Sequence, residues 1–451
     1  MTLLEETLVR IGYGKYQIIS IFISIICISA YGINITIFAS MVLPIKQYFK
    51  LNDFELSFMS SLLYIGTAMG HLVTGFITKT FRRETVIFLL AFVSVLCFLI
   101  GLIKNKELFG ILRLFIGFGV GTLLPLVINT LTEFLPIYMK GFYLMMAFSG
   151  VYIGQLIPNL LMIEFIPNLD EKNVGLVFMI SSLVPLSALI LSFFLFEDSP
   201  ISLVIKNRTQ KALALINKMD KSNFYTIEKQ KMLINEMRNK FSIEGKEKNL
   251  SCLFEDKYQK STILLSFIWF INSILFFGPA IIVSITIDKL GYTVDKQTII
   301  IKQAKIIIIG LIGFFIGGYL SEFKFLGRLR TIMLGYILLI IFTILSMLFQ
   351  QHFSLFYGFA YASIPIFYFG ITIYTAEFYP CRLRDLGVGY MYFLNKMGGL
   401  GSQFLFIHLA SWNVNFPFYA IILLSVMNIV FLSLMPFETL NKGMDFMEKI
   451  E

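Results

Sequence analysis

The sequence predicts an all-α membrane protein, twelve transmembrane helices in two pseudo-symmetric six-helix bundles, and three observations carry that reading. Hydrophobic residues make up 57% of the 451 and charged ones only 14%, against about 45–50% and about 25% in soluble domains. The apolar residues are gathered into blocks of about 18–25 residues, long enough to cross a hydrocarbon core of about 30 Å as helices. The third observation is a repeat. Glu133-Phe-Leu-Pro136-Ile-Tyr-Met-Lys140 returns as Glu377-Phe-Tyr-Pro380-Cys-Arg-Leu-Arg384, with acid, proline and terminal cation in register. A second pair keeps nearly the same offset: Gly75-Phe-Ile-Thr ending in Arg82-Arg83, and Gly318-Tyr-Leu-Ser ending in Gly327-Arg328-Leu-Arg330. Two parallel halves explain both pairs.

The first six blocks run Gln17–Leu43, Glu55–Thr78, Val86–Leu102, Phe109–Leu131, Gly141–Met162 and Val174–Phe196. The second six are Thr262–Ile285, Thr298–Leu320, Thr331–Leu348, Phe356–Tyr374, Gly387–Leu409 and Pro417–Leu434. Lipid offers no partner to backbone N–H and C=O groups, so runs of this length form helices, whereas a β-barrel shows short alternating segments. The expected domains are a bundle over 1–196, a cytoplasmic linker over 197–260, a second bundle over 261–437 and a tail over 438–451. Within the linker, Thr209-Gln-Lys-Ala-Leu-Ala-Leu-Ile-Asn-Lys spaces its apolar residues for a short amphipathic helix.

A net charge of +9 raises the question of a nucleic-acid partner, but the cations follow topology instead. Lys79, Arg82, Arg83, Lys140, Lys324, Arg328, Arg330, Arg382 and Arg384 lie on the same side as the cation-rich linker, and the opposite loops hold few. This is the positive-inside bias. It predicts both termini in the cytoplasm, in a plasma or intracellular vesicle membrane, with the bilayer as partner and no nucleic acid. The four cysteines are scattered, and no Cys/His spacing suggests a metal. No nucleophile–base pair or phosphate loop points to an enzyme, and no cofactor is implied. The chain is expected to act as a monomer.

Arg113-Leu-Phe-Ile-Gly117-Phe-Gly119-Val-Gly121 falls inside block four. Without a preceding strand its glycines are no dinucleotide fingerprint; in a membrane helix they allow close helix contact. The pattern resembles the helix 4 signature of the major facilitator superfamily. The Gly75 and Gly318 segments resemble that superfamily's loop 2–3 motif and its echo in loop 8–9. The Glu133 and Glu377 segments, with Glu197-Asp198-Ser199-Pro200 and Pro436-Phe437-Glu438-Thr439, are similar to marks of its sugar-porter and organic-ion branches. Gly12-Tyr-Gly-Lys-Tyr-Gln17 and Phe267-Ile-Trp269-Phe-Ile-Asn272 are similar to the SVOP-like branch. The resemblance spans essentially the whole chain. It implies alternating access, the two halves rocking about a midplane site. It also implies charged latches between helix ends, for which Lys79, Arg82, Arg83, Glu133, Lys140, Glu322, Arg328, Glu377, Arg382 and Arg384 are the candidates. Glu133 with Lys140, and Glu377 with Arg382 and Arg384, are the favoured pairings.

The departures are informative. Lys79 stands where loop 2–3 normally has an aspartate, and Tyr31-Gly32-Ile33-Asn34 replaces the acid-bearing stretch of helix 1 in relatives. No carboxylate lies well inside any block, yet four cations do: Arg113, Lys302, Lys305 and Lys396. A desolvated cation needs an anion, and a solute carboxylate, sulfate or phosphate would fill that role. The competing reading has Lys302 and Lys305 snorkelling to the surface while Arg113 and Lys396 bond backbone carbonyls. Tyr31, Asn34, Tyr152, Gln155, Trp269, Asn272, Tyr368, Asn395 and Gln403 are further cavity candidates, because helices bearing them face the cavity in this fold. His71 and His408 titrate near neutrality in water, although lone helical histidines more often serve packing. The expected function is a secondary carrier of a small organic solute, with the anion reading first and sugar or organic cation as alternatives. A transporter-shaped receptor or vesicle protein is the reading from another class.

Overall fold

A computed structural model describes residues 3–77, 82–136, 139–169, 171–219, 232, 234, 235, 250–289, 296–323, 325–379 and 383–439. Twelve long helical segments match the twelve blocks. We number them α1 Lys15–Ser40, α2 Asp53–Ile77, α3 Arg82–Ile100, α4 Lys106–Phe134, α5 Lys140–Phe165 and α6 Val174–Leu195. The second six are α7 Asp256–Lys289, α8 Lys296–Ser321, α9 Gly327–Leu348, α10 Phe353–Phe378, α11 Arg384–Trp412 and α12 Phe416–Ser433. Among the described residues eleven of these spans are long and apolar enough to cross a membrane. The one left out is α11, which has the length at 29 residues. Its deficit is polarity: Asn395, Lys396, Ser402, Gln403 and His408 all ride on it. A span that apolar surroundings would reject must be sheltered, and α11 is packed between α7 and α2.

Helix pairing repeats between the halves. In the first, α1 packs on α5, α2 on α4, and α3 on α4; in the second, α7 packs on α11, α8 on α10, and α9 on α10. The halves meet along two seams, α2 on α11 and α5 on α8, with a lighter contact of α1 on α7. Close approach within the first half depends on glycine. A Cβ at Gly117 would lie 2.2 Å from the Leu63 carbonyl oxygen, and one at Gly154 would lie 2.3 Å from that of Ser29. Thus Gly117 of the helix 4 motif serves backbone-to-backbone packing. Gly117→Leu is expected to separate α2 from α4 and remove the folded monomer peak in detergent gel filtration, overpacking being intolerable where the obstacle is backbone.

The linker begins with two short helices, Pro200–Ile205 and Thr209–Met219. Ser199 caps the first, its hydroxyl accepting from the Ser202 amide at 3.1 Å. The second is the amphipathic helix expected from spacing. Its Ala212, Leu215 and Ile216 bury themselves with Leu203 and Val204 against Phe134 of α4 and Leu8 of the N-terminal helix Leu3–Ile11. The linker therefore starts as a packed layer beneath the first half.

Candidate functional site

At the centre of the seams Lys396, near the middle of α11, donates to the Tyr31 hydroxyl of α1 at 2.8 Å. Its ammonium also lies 5.0 Å from the Phe277 ring centre and 5.4 Å from that of Tyr31, a cation–π arrangement. Lys396 is 1% exposed and Tyr31 3%, so the pair is closed off on both sides. A lysine ammonium carries three donors, and only the one to Tyr31 is used. Beside it Asn395 leaves its Nδ2 buried without a partner, while its Oδ1 accepts from the Tyr368 hydroxyl at 3.2 Å.

Aromatic rings complete the enclosure. Tyr64 of α2 packs edge-on to Phe277 at 4.9 Å between ring centres, and Phe276 lies 4.1 Å from Tyr368. Trp269 sits 5.3 Å from Tyr392 and donates its indole N–H to Thr375 at 2.9 Å. Next to Phe277 is a cavity with room for about one water molecule, lined by Ile35, Thr36, Tyr64, Gln155, Phe276 and Phe277. Gln155 of α5 accepts from the Tyr361 hydroxyl of α10 at 2.7 Å, and Tyr152 donates to the Tyr361 carbonyl at 3.3 Å. Ser60 of α2 donates to Gln403 of α11 at 2.6 Å. Every one of these three bonds joins one half to the other.

Several sequence candidates lie elsewhere. Lys305 is exposed and Lys302 is half-buried, both within the first three turns of α8. Neither is buried as Lys396 is, so the structure does not enclose the three lysines together. Arg113 is buried inside the first half, donating to the Met59 carbonyl at 3.3 Å with its guanidinium 4.4 Å from the Phe38 ring centre. Asn34 accepts from the Cys97 thiol of α3 at 2.9 Å. Asn272 accepts from Tyr336 of α9 at 2.8 Å, and Asn428 of α12 donates to the same hydroxyl at 2.9 Å. Both asparagines serve contacts within their own half instead of the central space. Of the sequence candidates, Tyr31, Gln155, Trp269, Tyr368, Asn395 and Lys396 converge, and Tyr152 and Gln403 join the halves beside them. The sequence reading missed Tyr64, Phe277, Tyr361 and Tyr392; among 48 Phe and 21 Tyr, nothing distinguished them.

On the face that carries the linker, charges tie helix ends together. Arg328 at the start of α9 pairs with Glu377 at the end of α10 at 3.0 Å, and with Glu322 at the end of α8 at 3.6 Å. It also donates to the Ser321 carbonyl. Glu438 accepts from the amides of Arg328 at 2.7 Å and Leu329 at 2.9 Å, capping α9. Thr439 closes the ring by donating to Glu377 at 2.6 Å. The first half echoes this bond, with Ser199 donating to Glu133. Glu377 thus binds Arg328 and Thr439, while the side chains of its expected partners Arg382 and Arg384 lie outside the described residues. Lys79 and Arg382, and the side chains of Arg82 and Arg384, lie outside the described residues. Arg83 donates to the Phe193 carbonyl at 2.9 Å, tying α3 to α6, and Lys140 is half-buried at the start of α5. A cluster not foreseen joins Lys206 to Glu84 at 3.0 Å and Asp198 at 2.9 Å, fixing the linker to α3. Glu322 also reaches across the halves: a Cβ on Gly141 of α5 would lie 2.4 Å from its carboxylate oxygen.

Comparison with known proteins agrees with this architecture. Residues 23–402 match the family model described as Major Facilitator Superfamily. SVOPL of Danio rerio is 23% identical, with 98% of this chain and 89% of that protein covered. The benzoate transport protein of Acinetobacter baylyi is 23% identical over 82% of this chain and 78% of its own. Among solved structures, the proton:xylose symporter XylE superimposes with a TM-score of 0.75 at 16% identity, covering 96% of this chain and 98% of its own. With twelve paired helices, a repeated motif set and a family match across most of its length, the chain belongs to the major facilitator superfamily of membrane transporters.

Proposed function

We propose that this protein is a secondary carrier of a small aromatic organic anion, moved by alternating access of the two halves about Lys396. One observation carries the reading: among the described residues, a buried ammonium at the junction of the halves has two donors unused and no carboxylate beside it. Burying a charge without compensation is expensive, and the Asn395 amide nitrogen adds a further unused donor group next to it. A carboxylate displacing the Tyr31 hydroxyl would satisfy both. The rings of Tyr31, Tyr64, Phe276 and Phe277 would then pack against a flat apolar body, which favours an aromatic acid over a sugar. The benzoate transport protein among the relatives lends support from outside the chain. In this reading both termini are cytoplasmic, the linker face is the inner face, and the charged ring around Arg328 and Glu377 holds helix ends in place there. The solute pathway lies within one chain, so the carrier works as a monomer.

Reconstituted vesicles offered labelled benzoate, tetraethylammonium and xylose provide the test. Benzoate is expected to enter, and the other two are expected to stay out. A short thiol-reactive cross-link between Ser60→Cys and Gln403→Cys should stop benzoate entry, and reductive release should restore it, because those positions join the seam of α2 and α11 at 2.6 Å between side chains. Entry of xylose or tetraethylammonium instead would overturn the anion reading. Unimpeded entry with the seam locked would overturn alternating access.

A further inference from the structure

Lys302 and Lys305 have no part in the central site, and the two sides of α8 show what surrounds them. Glycines mark the covered side. A Cβ on Gly310 would lie 2.6 Å from the Tyr152 ring of α5 and 2.8 Å from the Tyr361 ring of α10, and one on Gly318 would lie 3.1 Å from the Phe142 ring. The opposite side is open. Ile301, Ile308, Ile312, Ile316 and Tyr319 are all exposed, and Lys305 falls in their row. With Lys305 included, every step along that row is three or four residues, which is one face of a helix. Large apolar side chains turned away from both packing partners of a membrane helix meet lipid. Lys305 is thus an ammonium on the lipid side, with half-buried Lys302 one turn further from the linker face. Among the described residues neither lysine has a hydrogen bond or an ion pair, and Lys296–Ser321 contains no acid.

We propose that Lys302 and Lys305 form a binding site for an anionic phospholipid in the leaflet away from the linker, its headgroup phosphate on the two ammonium groups and an acyl chain along Ile308, Ile312 and Ile316. Depth supports the assignment. Ser321 ends α8 on the linker face, where Glu322 and Arg328 mark the polar boundary. Lys305 is sixteen residues from it, about 24 Å along a helix, against a hydrocarbon core of about 30 Å. The Lys305 backbone therefore lies just inside the far boundary, and its stem extends the ammonium to the phosphate level. A cation left in hydrocarbon is costly, and a phosphate removes that cost. The fold does not demand the charges: the repeat that sets Gly75 against Gly318 sets Met59 and Leu62 of α2 against Lys302 and Lys305. Two lysines without an acid favour a headgroup of net negative charge, because a zwitterionic one brings an ammonium of its own. The expected preference is about fivefold for one lysine and about thirtyfold for both.

Tryptophan quenching by brominated lipid tests this, since bromine quenches an indole that it touches. The chain has two tryptophans: Trp269 is buried, and Trp412 is exposed at the end of α11. Trp412→Phe removes the exposed one, and Ile308→Trp places a reporter one turn from Lys305 on the lipid row. A second protein carries Ile341→Trp instead, on the exposed side of α9, whose span holds no lysine. Each full chain, shown folded by gel filtration, is reconstituted in phosphatidylcholine with a small fraction of brominated phosphatidylglycerol or brominated phosphatidylcholine. At position 308 phosphatidylglycerol is expected to bind about five- to thirtyfold more tightly than phosphatidylcholine, and at position 341 the two are expected to bind alike. Lys302→Gln with Lys305→Gln is expected to bring the ratio at 308 close to one. Equal quenching by the two lipids at 308 would overturn the proposal, as would a preference that survives the double substitution. An equal preference at 341 would also overturn it, because attraction would then be spread over the whole surface of a chain of net charge +9.

Discussion

Lys396→Met is expected to abolish benzoate entry while leaving the protein folded. Methionine matches the length and apolar stem of lysine, so the packing among Phe277, Tyr31 and α11 survives. What goes is the buried cation that joins the two halves at the centre. Truncating one partner of a buried charge pair typically costs about 2–5 kcal/mol, which at about 1.4 kcal/mol per tenfold is a loss of at least about 30-fold in affinity. Uptake in vesicles and calorimetric affinity should fall together, and the thermal midpoint should hold or rise, since an uncompensated buried charge has been removed. Wild-type affinity in this variant would place the solute elsewhere.

Arg328→Ala should have the second largest effect, on stability and on the resting conformation. It deprives Glu377 and Glu322 of their cation and the Ser321 carbonyl of a donor. Removing one partner of a buried ion pair costs about 3–5 kcal/mol, and the lower end applies because Glu377 is 28% exposed at its side chain. The capping of α9 by Glu438 uses backbone amides and persists, which limits the damage. A lowered thermal midpoint with faster labelling of a cysteine placed at Gly141, measured against the same cysteine in the wild-type background, is the expected outcome. An unchanged midpoint would mean that Thr439 alone suffices to hold Glu377.

The architecture was legible because lipid enforces it. Apolar blocks of membrane length, a repeated Glu and Pro and a cation bias leave few alternatives, and family membership followed from motifs. The site was legible only in part. Lys396 stood out since a charge deep in an apolar block demands a reason, and the same logic flagged Arg113, whose partner proved to be a backbone carbonyl. Lys302 and Lys305 show the limit of that logic. Apolar residues occur on every side of α8, so no hydrophobic stripe says which side is covered, and the structure leaves Lys305 exposed. Asn34 and Asn272 failed for the same reason: depth along a helix can be read from sequence, whereas rotation about its axis is set by neighbours such as Cys97 and Tyr336. The aromatic enclosure was hidden by abundance. The Glu-Pro motif places acid and cation close in sequence, and the partner it could not reveal was Arg328, which reaches Glu377 through space.

The bond from Lys396 to Tyr31 also bears on the return leg of the cycle. An unloaded carrier must carry its bare ammonium through a closed state to reach the first side again. On the proposed reading, the Tyr31 phenol oxygen gives that ammonium an acceptor within the chain itself. A carrier so built would need no second solute for the journey back, and net flux, as opposed to one-for-one barter, would be its mode of traffic.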